Sequence, residues 1–267
     1  MAVKGVKPRE ERQFDQTFLS EKQHGRQVHR DYAAHYFRWG FSKEQCCGKR
    51  VLDVGCGPEW PLGRLLIFHG GFARKRPAKY VGVDLNKIEG NHNRNKIADL
   101  LSEFNFVERW KELLETYGAF DTVCNFEVLE HMDEPDQHRL LKCMRRCVKP
   151  GGTLIISTPV RAASGYQARN HIREVTIPEM RELLEDAGWE VVKRYGTYGD
   201  ITKLRKAALE EGLAHDEGDS TRMDGNAHRQ TMQDLSEYYC SDVLANFLAP
   251  LYPDACKNNL WVCRRPD

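Results

Sequence analysis

The segment Phe126-Glu127-Val128-Leu129-Glu130-His131 concentrates side chains that can do chemistry. Glu127, Glu130 and His131 are spaced i, i+3 and i+4, which on a helix places two carboxylates and an imidazole on one face. Two chemistries suit that set. Carboxylates and imidazoles can hold a divalent cation such as Mg²⁺, Mn²⁺ or Zn²⁺, with His171 as a further ligand. Alternatively His131 works alone as a catalytic general base, its ordinary pKa of ~6.5 suiting proton removal near neutrality. A plainer reading gives Glu127 to helix capping, Glu130 to solvent and His131 to packing.

A second constellation lies upstream. Asp53-Val54-Gly55-Cys56-Gly57 closes an apolar run. Glycines there let the backbone turn sharply and let a ligand approach without a β-carbon in the way. The dinucleotide pattern G-x-G-x-x-G fails, because Trp60 stands at its third glycine. An indole there, with Glu59 beside it, suits a neutral or cationic ligand better than a pyrophosphate. Asp84 ends the next apolar run, Tyr80–Asp84, where a carboxylate can accept both ribose hydroxyls of a nucleoside.

The elements that must position these residues alternate. Aromatics at helical spacing occupy 28–41, strands are expected at 51–55 and 80–84, and a short helix at 61–69. A third strand is expected at 96–98, with Asp99 at its end. Helical spacing follows over 106–117, then a strand at 120–125 and a helix at 137–147 stopped by Pro150-Gly151-Gly152. Strands at 153–157 and 189–195 flank a helix opened by Pro178 and closed by Gly188. Such alternation implies a mostly parallel sheet covered on both faces. Residues 196–257 break the rhythm with a helix at 201–211, a polar stretch and a helix to about 248. A last strand follows at 259–264.

Four motifs in order, VLDVGCG at 51–57, YVGVD at 80–84, FDTVCNFEVLEHM at 120–132 and KPGGTLIISTP at 149–159, resemble class I S-adenosylmethionine-dependent methyltransferases. The Glu-Val-Leu-Glu-His segment is similar to ubiquinone-biosynthesis O-methyltransferases and to small-RNA 3′-terminal 2′-O-methyltransferases. The latter hold a divalent metal on the two glutamates and two histidines. The resemblance implies an α/β fold: a Rossmann-like seven-stranded, mostly parallel sheet with helices on both faces and an antiparallel last strand. It implies S-adenosylmethionine as cofactor. Asp53, Gly55, Cys56 and Gly57 would surround its methionine moiety. Asp84 would take the ribose, with Leu85 beside it, and Asn125 and Phe126 would line the site at the end of the strand expected at 120–125. Asp99, or Glu108 in its place, would meet the adenine amino group. Glu59, where the family often has a third glycine, departs from the pattern.

The expected organisation is an N-terminal arm and helix at 1–45, a cofactor-binding core at 46–195, a helical substrate cap at 196–257 and the final strand at 258–267. Tyr198, Tyr238 and Tyr239 are acceptor-contact candidates in the cap. Lys and Arg number 40 against 39 acidic residues, so no global field draws the chain to nucleic acid or membrane. No run approaches the ~20 apolar residues of a membrane helix. Nine cysteines in a chain of this length, with no apolar leader, fit reduced thiols in a cytoplasm. Cys143 and Cys147 lack a second pair for zinc. After Asn125 there is no [DNS]-P-P-[YF] loop, which disfavours base amino-methylation. The expected reaction is methylation of oxygen, or less favoured nitrogen, on a small metabolite. An RNA-ribose acceptor is the runner-up. A nicotinamide oxidoreductase and a non-catalytic cofactor-binding subunit rank lower.

Overall fold

The computed structural model describes residues 32–68, 76–89, 96–165, 167–200, 203 and 249–267. The expected arm, and most of the 196–257 insertion with Tyr238 and Tyr239, lie outside the described residues.

Seven strands form one sheet in the order β3-β2-β1-β4-β5-β7-β6. They are β1 Arg50–Val54, β2 Lys79–Val83, β3 Ala98–Leu101, β4 Phe120–Phe126, β5 Val148–Pro159, β6 Glu190–Gly199 and β7 Cys256–Arg264. β1 to β5 pair in parallel, whereas β7 runs antiparallel between β5 and β6, as the resemblance implied. The central strands are buried on both faces, which is why they read as continuous apolar runs.

Successive side chains of a strand point to opposite faces. Leu52, Val54, Val81, Val123, Leu154 and Ile156 therefore share one core. That core is covered by α3 (Phe106–Tyr117), α4 (Glu134–Cys147) and α5 (Ile177–Asp186). Val51, Tyr80, Cys124, Ile155 and Leu260 form the other core, under α1 (Tyr32–Cys46) and α2 (Pro61–Phe68). Each fully buried Leu- or Val-sized side chain contributes about 1.5–3 kcal/mol through area removed from water. Leu141→Ala, at a fully buried position, would cost about 2–5 kcal/mol.

Local chemistry sets the ends of the helices. Asp133 caps α4 by accepting from the Asp136 amide, and Thr176 with Glu179 forms a reciprocal capping box on α5. The Asp133 cap starts α4 at Glu134, earlier than apolar periodicity suggested. β3 begins at Ala98 rather than 96, so Asp99 is its second residue and not its end. Between β4 and α4, Leu129–His131 forms only a 3-10 turn. Glu127, Glu130 and His131 therefore do not share a helical face.

Candidate functional site

The glycine loop turns at the carboxyl end of β1. Gly55 and Cys56 both donate to the Val83 carbonyl, at 2.8 and 3.1 Å, which ties the loop to the exit of β2. Gly55 and Gly57 have φ of +73° and +75°, a region where a side chain is strained. A Cβ on Gly57 would meet nothing within 4 Å among the described residues, so the loop presents bare backbone to open space. Trp60, at the third-glycine position, adopts φ +39° and is buried, donating to the Glu89 carbonyl at 3.3 Å.

Asp84 joins the two strand ends. One oxygen accepts from the Gly57 amide at 2.8 Å, and the other from the Asn86 amide at 2.8 Å and side chain at 3.0 Å. Leu85 follows, half-buried. Asp53 points into the interior and accepts from the Tyr80 hydroxyl at 2.6 Å. Burial pushes its carboxyl up to about 7; the Tyr80 hydrogen bond opposes that and Asp84 adds to it. Burial, Asp53 and Asp84 raise the Cys56 thiol, so it is no nucleophile. Asp99 is the clear departure. It pairs with Val81 across the strands and forms an ion pair with Lys79 at 2.9 Å, at the entry end of β2. The residues that follow β3 are instead Ser102 and Glu103.

At the end of β4, Asn125 is fully buried and donates to the Val54 carbonyl at 2.8 Å. Its Oδ1 has no partner among the described residues. Phe126 packs, half-buried, on the α1–α2 core. Glu127 then adopts φ +55° and turns the chain out of the sheet. Its carboxylate accepts from Ser157 Oγ and Asn258 Nδ2, both at 2.7 Å, and lies 3.2 Å from Arg38 Nη1. Burial opposes its ionisation, but Arg38, His35 and those hydrogen bonds outweigh burial and hold its pKa below the ordinary value.

Glu130 is 1% exposed, and burial together with Glu127 raises its carboxyl well above the usual range. Its carbonyl accepts from the Ile172 and Arg173 amides at 2.8 and 3.0 Å, which brings the distant His171 segment alongside. Glu130, His131 and His171 each offer a ligand atom within 4.8 Å of the others; Glu127 is not among them. His131 Nδ1 lies 3.0 Å from the Asn170 carbonyl, and His171 Nδ1 lies 2.6 Å from Glu174 Oε1. Each ring thus keeps Nε2 without a hydrogen bond among the described residues. Burial lowers the His131 pKa and His171 lowers it further, against the Asn170 bond, so the imidazole is neutral at pH 7.

Sequence reasoning missed Tyr80, Arg38, Ser157, Asn258 and Glu174. Glu174, three residues after His171, was the only one with a local signal. Tyr198 sits in β6 opposite Asn258, its ring 5.8 Å from Lys257 Nζ.

Residues 24–194 match the family described as a methyltransferase domain. The chain is 31% identical over 160 residues to a "probable S-adenosylmethionine-dependent methyltransferase" of Mycolicibacterium smegmatis, covering 58% of this chain and 57% of that one. It therefore spans little more than half of that relative. It is 27% identical over 191 residues to a ubiquinone biosynthesis O-methyltransferase of Thiobacillus denitrificans, covering 62% and 76%. In fold it is similar to a SAM dependent methyltransferase from Archaeoglobus fulgidus, with a TM-score of 0.55 at 17% identity, covering 93% of this chain and 100% of that one.

Proposed function

We propose that this chain, which belongs to the methyltransferase domain family, transfers a methyl group from S-adenosylmethionine to an oxygen of a small metabolite. One juxtaposition supports this reading above all. The Gly57–Asp84 bridge lies at the carboxyl ends of β1 and β2, and a neutral His131 lies at the exit of β4, the strand next to β1. Ligands of open α/β sheets bind at that edge.

Bound S-adenosylmethionine supplies a methyl group on a positively charged sulfur. Gly55 and Gly57 would offer backbone to the methionine moiety, and Asp84 would accept the ribose hydroxyls. Ser102 and Glu103, which follow β3, would take the adenine side that Asp99 was expected to serve. Asp84, at the loop's edge, places a carboxylate beside the bound nucleoside, which favours a cationic ligand. His131, held in one tautomer by Asn170, would take the acceptor's hydroxyl proton on Nε2 as the oxygen bonds the methyl carbon in line and the C–S bond breaks, its electron pair leaving on a neutral thioether sulfur.

A second reading adds a divalent metal on Glu130, His131 and His171. The donors fit such an ion. Glu130 offers a buried carboxyl that forms no ion pair among the described residues, and each imidazole has Nδ1 engaged elsewhere, as metal-ligating histidines do. An ion there would act as a Lewis acid on neighbouring hydroxyls, such as those of a catechol or a terminal ribose.

β6 runs parallel to β5, so its end at Gly199 and the start of β7 at Cys256 both lie on the carboxyl edge. β6 takes in 196–199 and β7 begins at 256, so the expected insertion narrows to 200–255, and the placement of its two ends supports that segment as the acceptor cap. We place the protein in a reducing compartment, the cytoplasm, because the eight described cysteines are free thiols. Labelled cofactor offered against metabolite and RNA fractions tests the proposal, with label entering a small hydroxylated acceptor. Label in RNA alone would overturn the acceptor class. Full activity in excess chelator would remove the metal.

A further inference from the structure

The Arg38–Glu127 pair has no part in the chemistry above. Arg38 lies on α1, 2% exposed, with Nη1 3.2 Å from Glu127 Oε1 and Nη2 2.6 Å from His35 Nδ1. Its Nε has no partner among the described residues. Burying a guanidinium that is not fully satisfied is unfavourable, and apolar contact would hold a helix in place without it. α1 already has such contact: Cys46 is fully buried, and Phe37 and Phe41 pack against Tyr195. The charge therefore calls for a reason beyond docking the helix.

Glu127 supplies one. It is a non-glycine residue in left-handed backbone, a conformation that persists only where its surroundings impose it. Arg38, Ser157 and Asn258 hold its carboxylate, and its amide donates to the Ser157 carbonyl at 3.0 Å. The next residue, Val128, packs directly on the glycine loop: a Cβ on Gly55 would lie 2.3 Å from Val128 Cγ2. Arg38, Glu127, Val128 and Gly55 thus form one chain of contacts from α1 to the loop.

We propose that Arg38 is a positioning residue for cofactor binding, an inference that rests on the cofactor reading above. Its guanidinium fixes Glu127 in the left-handed turn, which seats Val128 against Gly55 and sets the shape of the loop. α1 is on this account part of the binding machinery, and Glu127 belongs to that linkage rather than to the ligand cluster.

Calorimetry with S-adenosylhomocysteine tests this without any acceptor or turnover. Arg38→Met and Glu127→Gln should each raise Kd tenfold or more, and Arg38→Lys should recover part of the loss. The double variant should bind no more weakly than the worse single one, because both changes break the same link. Lower Tm with unchanged Kd in the single variants would make the pair merely structural and overturn the proposal, as would losses that add in the double variant. If Arg38→Met does not fold, the double variant, which leaves no unpaired charge, takes its place; wild-type Kd there overturns the proposal. Wild-type protein that fails to bind S-adenosylhomocysteine removes the cofactor reading itself, and this inference with it.

Discussion

On the β1–β2 side of the carboxyl edge the candidate site is built from backbone; on the β4 side it is built from side chains drawn from distant segments. Gly55, Cys56 and Gly57 are tied to Val83 and Asp84 by amide hydrogen bonds between neighbouring parallel strands. Glu130, His131, His171 and Glu174 meet because the 170–174 segment docks on the β4 exit, Ile172 and Arg173 on the Glu130 carbonyl and Asn170 on His131. A backbone cradle depends on conformation and tolerates change in most side chains. A side-chain cluster depends on desolvation, which here raises the Glu130 carboxyl and lowers the His131 imidazole from their ordinary values. The first region is suited to binding and the second to chemistry, and that division can be broken by experiment.

The largest effect should fall on the β4 side. His131→Ala should lower kcat by about 10²–10⁴-fold, as loss of a general base does, with cofactor Kd changed less than about threefold. An equal loss in Kd would erase the division between the regions. Because the imidazole pKa is depressed, kcat should hold as pH falls to ~6.5 and decline only below that value. A pH–rate profile that already declines above it would contradict a neutral buried base.

Next comes Asp53, the strongly shifted group of the backbone-built side. Its folded pKa of about 7 lies above the ordinary carboxylate value of ~3.9, so the native state binds the extra proton. Its contribution to stability is fully present below pH ~4 and is lost as pH rises through about 7, by roughly 4 kcal/mol at most. Denaturation of Asp53→Asn across that window should show a flatter pH dependence than wild type. Parallel curves would mean that Asp53 ionises normally.

Asp84→Ala should weaken S-adenosylmethionine binding by about 1.5–3 kcal/mol, through loss of a charged acceptor and of the Gly57 bridge. Calorimetry at unchanged affinity would take Asp84 out of the site. The smallest effect sharpens the boundary of the region. Asp99→Ala should leave cofactor Kd within about twofold, since its carboxylate serves Lys79 on the surface. A tenfold loss would restore Asp99 to the adenine site.

Much of this was legible in the residues themselves. Apolar runs at 51–54, 80–83 and 153–157 became central strands, because a strand buried on both faces needs apolar side chains throughout. The glycine loop and Asp84 were legible because each stands where an apolar run ends and a sharp turn needs glycine, although the bond that joins them spans 27 residues. The antiparallel final strand followed from the family pattern and is present. The β3 boundary was not legible. Four short residues carry little periodicity, and the two-residue displacement moved Asp99 from the carboxyl end of the strand to its entry.

By itself, then, the sequence determined the alternating sheet, its two apolar faces and the glycine loop, since each depends on local conformation and on burial with a period of two or 3.6 residues. The tertiary structure alone decided what the two glutamates of the β4 exit do. Helical spacing put Glu127 with Glu130 and His131, but one left-handed residue breaks the helical phase and sends its carboxylate to Arg38, Ser157 and Asn258. Those partners lie far from it in the chain, and a buried charge is settled by whichever donors the fold brings within reach.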